Sequence, residues 1–220
     1  MKQSRQEIGI LQTFLLRCEK VFLELRGIGF VFWIPFFANY ILFGLSVYAK
    51  SFSRYYVKTA YVEQCLFFIP MMASWWLLMT FKEYVEEDGH EILILYDKGK
   101  IADMILLFLL YTASWYPLWK VYSVCWGDDV MESAGYIYMM ILVRGLFYYG
   151  ISFALLMITK TLTVPFLFVL MYALVSNNLY HVDSQMILTI FNLNDTGYLI
   201  GGVVGLVTGC VFLQAMHVKR

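Results

Sequence analysis

The chain has 220 residues, of which 61% are hydrophobic and 15% charged, and its Lys+Arg and Asp+Glu counts are equal at 16 each. A soluble domain carries about 25% charged residues, so too few polar side chains are present to coat a water-facing surface, and the composition points to an all-α polytopic membrane protein with a single transmembrane domain spanning 1–220. Zero net charge gives no basic footprint for nucleic acid. Cys18, Cys65, Cys125 and Cys210 are far apart, form no CxxC, and read as small apolar packing residues.

Residues 1–27 are expected to hold an N-terminal amphipathic interfacial helix. Ile8, Leu11, Leu15, Cys18, Phe22 and Leu25 recur at a 3-4 spacing on one face, and Arg17, Lys20 and Glu24 lie on another. Such a helix rests in the headgroup layer with its apolar side down, although the same spacing also suits a short coiled-coil seam. Charge persists to Arg26 with no small-residue cleavage site, so no signal peptide is expected.

Six transmembrane helices are predicted, each near the roughly 20 residues needed to cross. The first runs over Ile28–Ala49, with Pro35 inside it as a kink, and a basic, aromatic loop over 50–58 follows. The second covers Tyr61–Thr80 and ends at the densest charged stretch of the chain, residues 82–100. The third covers Ile101–Val124 with Pro117 near its far end, and a short acidic loop over 127–133 leads to the fourth, Ala134–Thr159. Lys160 marks a tight return into the fifth, Thr161–Ser176, where Pro165 is tolerated near the start. Residues 177–196 form a second long polar region with a short extracellular or re-entrant helix, and the last span is Gly197–Met216. With six crossings both termini share one side. Eleven Lys and Arg fall on that side, against Lys50, Arg54, Lys58 and Lys120 on the other, which makes the termini and the 82–100 stretch cytoplasmic.

Few residues suggest chemistry. Gly99-Lys100 lacks a P-loop, because Ile94 stands where the first glycine would be and Ile101 follows the lysine. His90, His181 and His217 are scattered, so no metal site is expected, and no nucleophile–base pair supports an intramembrane enzyme. Arg144 lies about ten residues inside the fourth span, where a charge costs about 2.5–3.5 kcal/mol on insertion scales. It either faces a partner or a wet cavity, or snorkels outward. Gly197, Gly201, Gly205 and Gly209 recur every four residues in the last span and let another backbone approach closely, either within the chain or between protomers.

The charged stretch cannot lie in lipid, and its apolar turn Ile92, Leu93 and Leu95 needs a protein surface, either this chain's own or a soluble partner's. Gly89 is placed to cap the end of the second helix. Here the chain resembles the ABC-2 type permeases, the six-span membrane subunits of ABC exporters. Their cytoplasmic coupling helix, between helices 2 and 3, reads Glu-x-Gly-Thr-x-Glu-x-Leu followed by a basic residue and Gly-Lys. Glu87, Gly89, Glu91, Leu93, Lys98, Gly99 and Lys100 match it, with His90 in the threonine position, one residue fewer before Glu91 and no proline.

The resemblance implies a separate ABC ATPase subunit. Glu83, Glu86, Glu87 and Glu91 would orient its docking, Gly89 would end the helix, and His90, Ile92 and Leu93 would fill its groove. It also implies ATP and Mg on that partner, no cofactor in this chain, and a second permease copy or a similar chain enclosing the path in a cell membrane. Abundant Tyr, Phe and Trp suit an amphipathic or hydrophobic cargo such as a peptide or antibiotic. The other reading is a non-transport membrane scaffold, immunity or sensor protein whose charged stretch binds a soluble cytoplasmic partner.

Overall fold

The computed structural model describes residues 2–50, 67–85, 99–120, 134–180 and 195–218. Among these, every element is a helix: α1 (Lys2–Ile28), α2 (Phe30–Lys50), α3 (Ile69–Val85), α4 (Lys100–Ser114), α5 (Ala134–Thr159), α6 (Thr163–Tyr180) and α7 (Asp195–Val218). Three stretches among the described residues are long and apolar enough to cross a membrane: Lys100–Lys120, Tyr138–Thr159 and Asp195–Ala215. A fourth is added if Leu15–Ile28 and Phe30–Ile41 form one broken span, and Thr163–Ser176 is a shorter apolar helix. The described residues are thus all-helical, with several helices long and apolar enough to cross a membrane, as in a membrane protein.

α1 and α2 meet at 89°. Gly29 makes the corner. Its φ of +75° lies in the left-handed region that side chains disfavour, and its N–H turns back to the Arg26 carbonyl at 3.3 Å. The apolar run from Ile28 therefore does not continue the direction of α1. At the α5–α6 return Lys160 takes the left-handed conformation instead (φ 53°) and donates its N–H to the Leu156 carbonyl at 2.9 Å.

α3 is the hub. It packs against α1, α2, α4, α5 and α6. Ile69, Ala73, Trp76, Leu77, Leu78 and Phe81 on it are buried in the main core. An aromatic column runs through that core: Phe32 of α2 stacks on Trp76 at 4.3 Å between ring centroids, Trp76 meets Tyr111 of α4 edge-on at 5.1 Å, and Tyr111 meets Trp115 at 5.7 Å. The second helix was expected to end at Thr80. It stays helical to Val85, because Phe81 and Tyr84 are buried a turn further on. Similarly, residues 177–180 and 195–196 of the expected re-entrant region belong to α6 and α7, while 181–194 lie outside the described residues.

Pro35 lies inside α2 and Pro117 just beyond the end of α4, and aromatic donors reach backbone carbonyls at both places. Pro35 has no N–H for the carbonyl of Val31, four residues earlier; the Trp75 indole of α3 donates to that carbonyl at 3.2 Å. Ahead of Pro117, α4 breaks at Trp115, whose N–H falls back on the Thr112 carbonyl at 3.3 Å. Tyr138 of α5 donates to the same carbonyl at 3.0 Å, and Tyr40 of α2 donates to that of Ser114 at 3.1 Å.

α5 and α7 form the tightest pair. A Cβ on Gly150 would stand 2.2 Å from the Gly202 carbonyl oxygen, and one on Gly205 would stand 2.6 Å from the Gly150 carbonyl carbon, so the two backbones touch. Gly201 and Gly209 instead make room for the rings of Phe147 and Phe153. The far side of α7 exposes Ile200, Val203, Val204, Val207 and Val211, an apolar face suited to lipid. We predict that Gly150→Ala lowers stability by about 1–3 kcal/mol through overpacking. Gly135→Ala, where an added Cβ meets nothing within 4 Å, should leave it unchanged. Thermal unfolding of both variants in the same detergent checks the difference.

Candidate functional site

The helices on either side of residues 86–98 are brought together and braced by α1. Arg17, Lys20 and Glu24 sit on successive turns of α1, and Lys100 and Asp103 occupy the first turn of α4. The Lys20 ammonium lies 2.8 Å from the Asp103 carboxylate, and Arg17 reaches the same carboxylate at 3.4 Å. Lys100 pairs with Glu24 at 2.9 Å, and Lys20 also lies 3.6 Å from Glu24, one helical turn on.

Burial differs sharply among the five. Asp103 is 3% and Lys100 4% exposed, whereas the Arg17 and Lys20 side chains are 40% and 42% exposed. The α4 charges are thus desolvated and the α1 cations remain half in solvent. Two further arrangements offset the cost of burying Lys100 and Asp103. The Lys100 ammonium lies over the Tyr84 ring at 4.3 Å and near the Phe81 ring at 5.5 Å, both at the end of α3. Asp103 lies in the first turn of α4, where the helix dipole favours negative charge.

Gly99, just before α4, completes the clasp. Its carbonyl accepts from the Ala102 and Asp103 amides at 2.9 and 3.1 Å and from the Arg17 guanidinium at 3.1 Å. A Cβ there would stand 2.8 Å from Arg17 Nη1. The glycine permits close approach of the cation, and its φ of −94° is ordinary.

One expectation changes here. Lys100, taken as part of a water-facing stretch, is buried, because it is the counter-charge of Glu24 and lies under two α3 rings. Arg17, Lys20 and Glu24, expected to form the polar face of an interfacial helix, pair with charges of α4 while the Arg17 and Lys20 side chains stay partly exposed, and Leu15, Leu16, Phe22 and Leu23 are exposed as well. Asp103, on which the clasp turns, was missed by the sequence reading; the available signal was an acidic residue in the first turn after Gly99.

Of the docking residues, Glu83 lies in the last turn of α3. Glu86, Glu87, Gly89, His90, Glu91, Ile92 and Leu93 lie outside the described residues. Arg144 is 6% exposed and lies within the helical bundle, its guanidinium 5.0 Å from the Tyr198 ring and 5.3 Å from the Phe67 ring. Burial between α5, the ring of Tyr198 on α7 and Phe67 just ahead of α3, rather than extension to the surface, is the arrangement found. Gly201, Gly205 and Gly209 contact α5 as described above, and Gly197 is half-buried in the first turn of α7. Among the described residues no three His, Cys, Asp or Glu side chains gather as metal ligands.

The chain matches no family model, no curated protein and no solved structure. The clasp consists of paired charges, with no nucleophile beside a base, and its physical capacity is to hold α1 against the ends of α3 and α4.

Because Lys100 is buried and Lys20 is not, the two sides of the clasp should respond unequally. Glu24→Gln leaves a buried ammonium without its counter-charge and is expected to cost about 3 kcal/mol. Lys20→Met leaves Arg17 on Asp103 and should cost less than about 1 kcal/mol. Denaturant unfolding of the two variants under identical detergent conditions measures the contrast.

Proposed function

We propose that this chain is the permease subunit of an ATP-driven ABC exporter, with residues 82–100 as the surface on which a separate ATPase docks. In this reading the chain crosses the membrane six times, both termini are cytoplasmic, and α1 is the interfacial helix. A second copy or a similar chain completes the translocation path, and the cargo is amphipathic or hydrophobic.

The observation that carries the reading is the clasp. A docking segment does work only if its displacement reaches the spans. Here Lys100 and Asp103, immediately after the segment, are tied to Glu24, Lys20 and Arg17 of α1. Phe81 and Tyr84, just before it, cover Lys100 from the other side. A push on 86–98 therefore moves the end of α3, the start of α4 and α1 together. The 89° corner at Gly29 supports the same reading, because it lets α1 lie across the direction of α2.

Coupling then follows from linkage. ATP favours one arrangement of the ATPase pair, the docked segments shift, and packed helices move between two discrete arrangements. Glu83, Glu86, Glu87 and Glu91 orient the partner by charge, and His90, Ile92 and Leu93 enter its groove.

Replacing Ile92 and Leu93 together with Asp is expected to abolish export and co-purification of the ATPase while membrane insertion is retained. Co-purification that persists unchanged removes the docking surface from this stretch, and capture of a soluble partner that lacks ATPase activity favours the scaffold or sensor reading.

A further inference from the structure

Between α2, α3 and α6 lies a half-open cavity of about 130 Å³. Pro35, Met71, Met72, Trp75, Phe166 and Leu170 account for most of its wall. It is separate from the clasp and shares no residue with it.

The wall has no free polar group to offer. Ser74 is the one hydroxyl lining it, and it donates to the Met71 carbonyl at 2.7 Å. The Trp75 indole N–H is held by the Val31 carbonyl that Pro35 leaves open. A water needs about two to four polar partners and an apolar cavity of about 150 Å³ stays dry and takes a benzene-sized group, so the occupant here is hydrocarbon.

The mouth of the cavity decides the source of that hydrocarbon. Of its lining residues Ile34 of α2 and Phe166 of α6 are exposed, and so, among the described residues, are the apolar Phe37 and Ile41 of α2 and Leu167, Phe168 and Met171 of α6. These faces meet the bilayer, so the medium at the mouth is lipid chains. The wall is also fixed in place: Trp75 is pinned by its hydrogen bond and meets the Phe166 ring edge-on at 5.6 Å. Met71 and Met72 supply unbranched, adaptable sides suited to a flexible chain.

We propose that this cavity is a binding site for one acyl chain of a bilayer phospholipid, which inserts between α2 and α6 and lies against Trp75. The site does not depend on a partner ATPase, and it holds whether or not the chain exports anything. The acyl chain supplies the contacts that a void would forfeit, and so bridges α2, α3 and α6.

The experiment reconstitutes the full chain in phosphatidylcholine nanodiscs containing a phosphatidylcholine with a diazirine on its acyl chain. After irradiation, labelled residues are mapped by mass spectrometry. Label is expected several-fold enriched on Met71, Met72, Phe166 and Leu170 over the Val203–Val207 face of α7. Ala38→Phe, which places a ring in the cavity from a lining position, should remove that enrichment and keep the α7 label. The milder Ala38→Leu should reduce it in the same direction, which covers a failure of the larger variant to fold. Equal labelling of both faces, or enrichment that survives both substitutions, overturns the site. So does cross-linking of two copies through these residues, which would make a second chain the occupant.

Discussion

A backbone carbonyl cannot be left bare where no water reaches it, and this chain satisfies that constraint with aromatic side chains. At Pro35 the Trp75 indole of a neighbouring helix takes the Val31 carbonyl that the missing amide leaves open, and where α4 ends ahead of Pro117 the Tyr138 and Tyr40 phenols donate to the Thr112 and Ser114 carbonyls. Tyr111 also donates to the Ile69 carbonyl and Tyr149 to that of Met104, at sites without a break. These donors tie each proline site to a particular neighbouring helix. The high aromatic content is therefore part of the bundle's wiring as well as its filling. That is also why α3, which both gives and receives such bonds, sits at the centre.

The charged clasp answers a different demand. Lys100 and Asp103 are too close to the core to remain hydrated, and each is costly to bury alone. α1 brings the opposite charges, and α3 adds two rings over the lysine. Stability and mechanics are then the same contact: the pairs that make burial tolerable also join the helix before the polar stretch, the helix after it and the N-terminal helix. A docking function for that stretch rests on this arrangement, since the force of a partner would enter at the point where three helices are held together.

Long apolar runs were the legible part of the sequence. The bounds expected for the fourth helix, Ala134–Thr159, coincide with those of α5, and the tight return at Lys160 is found where a lone charge separates two apolar runs. The orientation of α1 was not legible. Periodicity assigns Arg17, Lys20 and Glu24 to one face but does not say what covers that face, and the cover is a pair of charges more than seventy residues away. Asp103 was overlooked for the same reason, because an acidic residue at a helix start has a local explanation that conceals its distant partners. The glycine spacing in α7 pointed to close packing, and Gly205 of that register does lie against the Gly150 backbone; Gly202, which shares the contact, stands outside the register, and Gly150 is on another helix.

The crossing of α5 and α7 has one more implication. Main chain lies on main chain there, with no side chain between to change rotamer and take up a shift. The two helices consequently behave as a single rigid strut. Any large change of shape in this protein has to be accommodated on the opposite flank, where α1, α2 and α4 are joined through rings and ion pairs that can slide, tilt and re-form.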